Sequence, residues 1–124
     1  MTKPLRGYVY IIRVNGEYGS EQHGKRPVVI VQNNMGNLCS TTTIVVPITS
    51  KEKHSLPTHV LLCTDIFRKP STALAEQIMT VSIDRLTRFI GALSFSDMMK
   101  IDKALRISLD ILGERDETYR TRTT

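Results

Sequence analysis

The sequence predicts a mostly β chain of the α+β class, folded as a strongly bent antiparallel sheet, a small barrel, with one helix on one side. Three observations lead there. At 124 residues the chain is long enough for one core and too short for two. Its first three quarters carry short runs of β-branched and aromatic residues separated by polar loops, the mark of strands in a meander. Near residue 94 the apolar spacing changes from strand-like to helical.

The strands follow in order. GYVYIIRV (7–14) ends at Asn15-Gly16, a hairpin turn signal. PVVIVQN (27–33) is the most apolar and stops at Asn34-Met35-Gly36-Asn37, a polar turn. TTTIVVPIT (41–49) contains Pro47; proline cannot donate to a ladder, so this strand is expected at an edge or bulged near its end. THVLLCT (58–64) follows the polar loop SKEKHSLP, ALAEQIMTV (73–81) alternates imperfectly, and residues 88–93 suggest a sixth strand.

In SFSDMMKIDKALRISLDIL (94–112), Met98, Ile101, Leu105, Leu109 and Leu112 fall on one helical face. Ser94 and Asp97 read as a variant capping box, and Gly113 is placed to stop the helix. The domain is expected to span residues 1–113, with residues 114–124 a disordered tail lacking periodicity.

Composition narrows the functional classes. No apolar run reaches the ~20 residues of a membrane helix, and MTKPLRGYVY has no secretory pattern; the expectation is a cytoplasmic protein. Cys39 and Cys63 stand in no CxxC and near no histidine at metal spacing, so they read as small core residues and no metal is predicted. The formal net charge is +5 and the tail GERDETYRTRTT balances three acids against three arginines. The excess therefore lies on the body, which favours a polyanion or an acidic protein as partner.

Known catalytic patterns are scarce. There is no GxSxG, GxxxxGK[ST] or GxGxxG, and the carboxylates are scattered rather than clustered for Mg²⁺. His23, His54 and His59 lie in or beside the loops 15–26 and 50–59. What the residues leave open is metal-free chemistry on a phosphate that brings its own nucleophile, as the 2′-hydroxyl of RNA does. Such a reaction needs a fixed cation for the charge growing on phosphorus and a hydroxyl to hold a phosphate oxygen. Arg26, where a polar loop meets a rigid strand, and Thr49, at the end of the third strand, form the plausible pair.

At these residues the chain resembles the MazF/PemK toxins of bacterial toxin–antitoxin pairs. The resemblance runs through RGYVY (6–10), GSEQHGKRPVVIVQNN (19–34), TTTIVVPITS (41–50), LPTHVLL (56–62) and AEQIMTVSIDRL (75–86), covering about residues 6–112. It implies the SH3-like barrel shared by the MazF, PemK and CcdB toxins, with a C-terminal helix, and a homodimer. It also implies a sequence-specific endoribonuclease (an mRNA interferase) that needs no cofactor and cuts single-stranded mRNA to 2′,3′-cyclic phosphate and 5′-hydroxyl ends. An acidic antitoxin with a disordered segment is the implied protein partner.

Carried over by motif, the catalytic residues are Arg26 of GKRP and Thr49 of VPITS. RNA contacts fall on Ser20, Glu21, Gln22 and Lys25, on Ser50, Lys51 and Lys53, on Leu56, Pro57 and His59, and on Glu76 and Gln77; structural roles in turns and strand starts remain open for all of these. Two positions depart from the pattern: Tyr8 replaces the acid usual after R-G, and His23 stands where glycine is common. Two other readings stay in view. One is a CcdB-like toxin that binds DNA gyrase and cleaves nothing, although that group lacks the GxRP and PITS pair; the other is an inactive RNA-binding relative.

Overall fold

The computed structural model describes residues 2–14, 24–51 and 55–111. Its strands are β1 (Tyr8–Val14), β2 (Gly24–Ile30), β3 (Thr42–Thr49), β4 (His59–Leu61), β5 (Thr72–Leu74), β6 (Met79–Ser82) and β7 (Leu86–Ala92). Two α-helices accompany them, α1 (Asn34–Cys39) and α2 (Phe95–Ser108). The strands pair antiparallel in the order β4-β5-β3-β2-β1-β7, with β6 also on β3.

β3 is the strand that bends the sheet. One side pairs with β2; the other pairs with β6 along Thr42–Val45 and with β5 at Ile48 and Thr49. Pro47 lies where the second side changes partner, between Val45↔Met79 and Ile48↔Ala73. The proline therefore marks a changeover inside a central strand, not an edge, because its missing N–H falls where that side has no ladder to serve. The pairing path stays open between β4 and β7, so the sheet is barrel-like without closing.

Because side chains alternate, the two faces carry separate cores. One holds Val9, Val29, Val31, Val46, Ile48, Val60 and Ala73 against Met98, Ile101 and Ala104 of α2. The other holds Ile12, Val28, Ile30, Val45, Val81, Ile83 and Leu86, flanked by Tyr8, Tyr10 and Met79. The end of β2 and the residue after it feed both cores, which is why Val28–Val31 is continuously β-branched.

The helix α2 starts as expected, with the Ser94 hydroxyl accepting the Asp97 N–H at 3.1 Å. The Asp97 carboxylate does not complete a capping box. It is buried and accepts the Cys63 N–H at 3.0 and 3.2 Å, tying the helix start to the segment after β4. Met98, Ile101 and Ala104 fill the core, whereas Leu109 is half exposed beyond the last helical turn. Leu112, Gly113 and the tail 114–124 lie outside the described residues.

Three further expectations change. The stretch 73–81 is two strands separated by a 3-10 turn, Ala75–Gln77. The polar segment after β2 is a helix, α1, capped by Asn33, whose side chain accepts the Gly36 N–H at 2.7 Å. Its Asn37 is fully buried, donating to the Gln32 carbonyl and accepting from Gln32 Nε2 and the Thr43 hydroxyl. Both cysteines are exposed, since Cys39 ends the short helix and Cys63 follows an edge strand.

Arg6 of the RG pair has a structural task. Its backbone N–H donates to Asn34 Oδ1 at 2.7 Å and its Nε to the Val31 carbonyl at 2.9 Å, while its guanidinium pairs with Asp102 of α2. One side chain thus joins the chain start, the end of β2 and the helix.

Candidate functional site

The face of the sheet opposite α2 changes character along β2. Val28 and Ile30 are buried in the second core, and two residues earlier the same face presents Arg26, half-buried and paired with Ile12 of β1. The β2–β3 register runs Ile30↔Val45, Val29↔Val46, Val28↔Pro47. Continued two residues, it sets Arg26 opposite Thr49, on one face and at cross-strand distance, about 5 Å between Cβ atoms. The sheet thus brings together the two residues expected to act.

Thr49 is half-buried, and its Oγ1 accepts the Lys51 N–H at 3.2 Å. That fixes the hydroxyl oxygen, and among the described residues no acceptor takes its proton. Arg26 has no ion pair among the described residues, so its planar fork remains available to an anion. Gly24, at the start of β2, has φ +120°, a backbone turn that side-chain-bearing residues rarely make. It sets the path by which the chain enters the strand that aims Arg26.

The row continues across β3 onto β5 and β4. Thr49 pairs with Thr72, and Thr72 with Leu61, which is 65% exposed. Thr72, a second hydroxyl on this face, has no motif around it and escaped sequence reading. In the next row His59 pairs with Leu74, on the same face as Thr49 but two strands away, roughly 10 Å by strand spacing.

His59 and Glu76 form a second, separate polar group. His59 Nε2 lies 3.0 Å from Glu76 Oε2, and the Thr58 hydroxyl donates to Glu76 Oε1 at 2.9 Å. The ring is almost enclosed, with Nδ1 buried and unpartnered among the described residues. Burial pushes the Glu76 carboxyl up, but the backbone hydrogen bond, the Thr58 hydroxyl and the His59 ring outweigh it and hold it below the usual carboxylate value. Thr58 is the member that spacing gave no reason to single out beyond its neighbours.

The remaining expected residues divide clearly. Ser50 and Lys51 are exposed where β3 ends, Leu56 and Pro57 are exposed before β4, with the Leu56 carbonyl accepting the His59 N–H at 2.9 Å, and Gln77 is exposed beside Glu76. Lys25 is exposed but lies on the opposite face of β2 from Arg26. Ser20, Glu21, Gln22, Lys53 and the histidines His23 and His54 lie outside the described residues. Tyr8, the departure after R-G, packs its ring 4.8 Å from that of Phe89, which also meets Tyr10 at 5.7 Å. Burial pushes the Tyr10 phenol up, and neighbouring Tyr8 adds to the rise.

A bent antiparallel sheet backed by a C-terminal helix, with an arginine and a threonine at neighbouring strand ends on one face, defines a small barrel-like α+β protein. The chain belongs to a family with that architecture, the PemK-like, MazF-like toxins of type II toxin–antitoxin systems, whose pattern matches residues 5–109. It is 44% identical over 110 residues to endoribonuclease EndoA of Bacillus subtilis (strain 168), covering 86% of this chain and 95% of that protein. It is likewise 44% identical over 109 residues to endoribonuclease MazF of Staphylococcus epidermidis, covering 86% of this chain and 91% of the relative. A solved endoribonuclease in complex with its cognate antitoxin, from a mycobacterial species, superposes with a TM-score of 0.74 at 29% identity over 89% of this chain and 98% of that one.

Proposed function

We propose that this toxin is a metal-independent endoribonuclease that cuts single-stranded RNA at a short sequence, with Arg26 and Thr49 as its catalytic residues. The observation that carries the reading is the β2–β3 register, which, continued two residues, sets Arg26, without an ion pair among the described residues, opposite the Thr49 hydroxyl. The step is an internal transesterification. The ribose 2′-oxygen bonds to phosphorus as its proton leaves, the bond from phosphorus to the 5′-oxygen breaks, and that oxygen takes up a proton. No water and no redox partner is consumed, and the products carry a 2′,3′-cyclic phosphate and a 5′-hydroxyl.

Arg26 stabilises the negative charge that builds on the equatorial oxygens, and Thr49 donates to one of them. Lys51 and Ser50 extend the ridge formed by Arg26 and Thr49, and Leu56, Pro57, His59, Glu76 and Gln77 line the far side, where bases rather than the phosphate would lie. The loop bearing Ser20, Glu21 and Gln22 and the lysines Lys25 and Lys53 complete the RNA contacts. The partner protein is a cognate acidic antitoxin whose segment occupies the same basic ridge, and the active form is a homodimer working in the cytoplasm. The edge of β4, which pairs with no further strand among the described residues, and the exposed side chains of Leu61, Phe95 and Met99 offer surface for a second copy. Among the described residues no helix is long and apolar enough to cross a membrane.

The test is cleavage of a long RNA in excess EDTA with mapping of both ends. Metal-independent cutting to 2′,3′-cyclic and 5′-hydroxyl ends is expected, and a 2′-deoxy or 2′-O-methyl group at the cut site should abolish it. Cutting of that blocked RNA would show that water is the nucleophile and would remove this reading.

A further inference from the structure

Face alternation puts a second set of cations on the other side of the β1–β2 hairpin. Arg13 of β1 pairs directly with Lys25 of β2, and both are exposed. Arg85 reaches the same strand end, its Nη2 donating to the Arg13 carbonyl at 2.6 Å. Arg88 of β7 is exposed and pairs with Ile11, two residues from Arg13 on the same face. Like charges directly opposite on a sheet are destabilising, and among the described residues none of these four cations has an ion pair. The nearest acid in sequence is the exposed Asp84.

We propose that Arg13, Lys25, Arg85 and Arg88 form an exosite for the phosphates of the RNA flanking the cut, outside the catalytic ridge. The proposal rests on the reading of the ridge as an RNA-cleaving site and extends its footprint. Lys25 and Arg26 are consecutive in β2, so their side chains leave opposite faces of one strand. An RNA strand held at Arg26 must pass to the other face of the sheet to meet these cations, so only nucleotides beyond those seated on the ridge reach them.

The chemistry favours RNA over an acidic peptide. Three of the four cations are arginines, whose forks match phosphate oxygens. The neighbouring exposed aromatic, Phe89, packs instead with Tyr8 and Tyr10 on the other face. A disordered peptide that folds on binding needs apolar anchors to offset its ordering, and charge without such anchors suits a repeating polyanion.

The experiment uses the full chain and two RNAs that share the mapped cut site, blocked by 2′-O-methylation. One is about eight nucleotides long and the other adds a flank of about twenty. Arg13→Gln with Arg88→Gln should weaken the long RNA about tenfold at moderate salt and lower its slope of log K against log[salt] by about 1.4, two phosphates at ~0.7 each. Binding of the blocked short RNA and cleavage of its unblocked counterpart should be unchanged, and Arg13→Lys with Arg88→Lys should keep the wild-type slope. A long-RNA affinity and slope equal to wild type, as if Glu17 and Glu21 of the connecting loop already neutralised the patch, would overturn the exosite. So would an equal loss for both RNAs, or loss of a polyglutamate peptide with RNA binding intact, which assigns the patch to an acidic protein. Failure of the wild type to cut the unblocked short RNA would instead strike the reading of the ridge, because the short RNA does not reach the exosite.

Discussion

The two faces of β2 differ in what covers them. Toward α2, Val29 and Val31 are buried with Ile101 and Met98, and that face is finished by the chain's own helix. On the other face Val28 and Ile30 complete a small core, after which Arg26 stands with no ion pair among the described residues. One strand thus carries both core residues and the proposed catalytic arginine, and side-chain alternation separates the two faces. Substitutions on the first face should change how much protein is folded; substitutions at the end of the second should change what the folded protein does.

The sharpest version of that contrast is Arg26→Ala. Cleavage should fall by about 10²–10³ or more, the scale of losing one donor to the transition state, while the thermal midpoint stays close to wild type because Arg26 belongs to neither core cluster. Arg26→Lys should also be poor, since a point charge cannot replace the planar fork. Single-turnover cleavage beside thermal unfolding reads both quantities; a folded Arg26→Ala protein that still cuts at near wild-type rate would move catalysis off this face.

On the covered face the opposite is expected. Ile101→Ala removes a fully buried side chain from the junction of α2 and the sheet and should cost about 2–5 kcal/mol, seen as a lowered denaturant midpoint. Cleavage per folded molecule should hardly change. A loss of activity greater than the loss of folded protein would mean that α2 controls the ridge across the sheet, and the two faces would no longer be independent.

The sequence made much of this readable, for identifiable reasons. Continuous β-branching in Val28–Val31 announced a strand buried on both faces, and helical spacing announced α2. Arg26 and Thr49 lie in strands β2 and β3, near the strand ends where the motifs put them; their proposed roles rest on the experiments above. What escaped was whatever depends on register or on a few residues. Helix α1 is six residues long, too short for periodicity, and rests on Asn37 being satisfied by Gln32 and Thr43, partners that no local pattern specifies. The opposition of Thr72 to Thr49, and of Arg13 to Lys25, exists only once strands pair. Pro47 pointed to an edge because the rule assumes one partner per strand side, and β3 has two on one side.

An intermediate effect is expected where the strand begins. At Gly24 an added methyl group meets no atom of the described residues within 4 Å, but φ is +120°, so Gly24→Ala should cost about 1–3 kcal/mol of local backbone strain. Its cleavage rate should drop more than its stability if the approach to β2 aims Arg26. Equal, small losses in both would show that Arg26 is positioned by the β1 and β3 ladders alone.

The smallest effect concerns the far side of the ridge and its pH dependence. The Glu76 carboxyl titrates below its ordinary value of 4.5 in the folded chain, so near that pH the unfolded chain holds more protons than the native one. Stability therefore rises with pH through this window. The contribution is fully present above about pH 4.5, and it is lost as pH falls through the lower native value. Because the Glu76 side chain keeps 34% of its exposure, solvent screening keeps the contribution small. Glu76→Gln should remove it while retaining an acceptor for the Thr58 hydroxyl, so that wild type and variant converge in acid and separate at neutral pH. Denaturant titrations from pH 3 to 7 measure the separation. A constant gap across that range would mean that the carboxylate's charge contributes nothing, and the His59–Glu76 contact would then hold the rim of the ridge by shape and neutral hydrogen bonding alone.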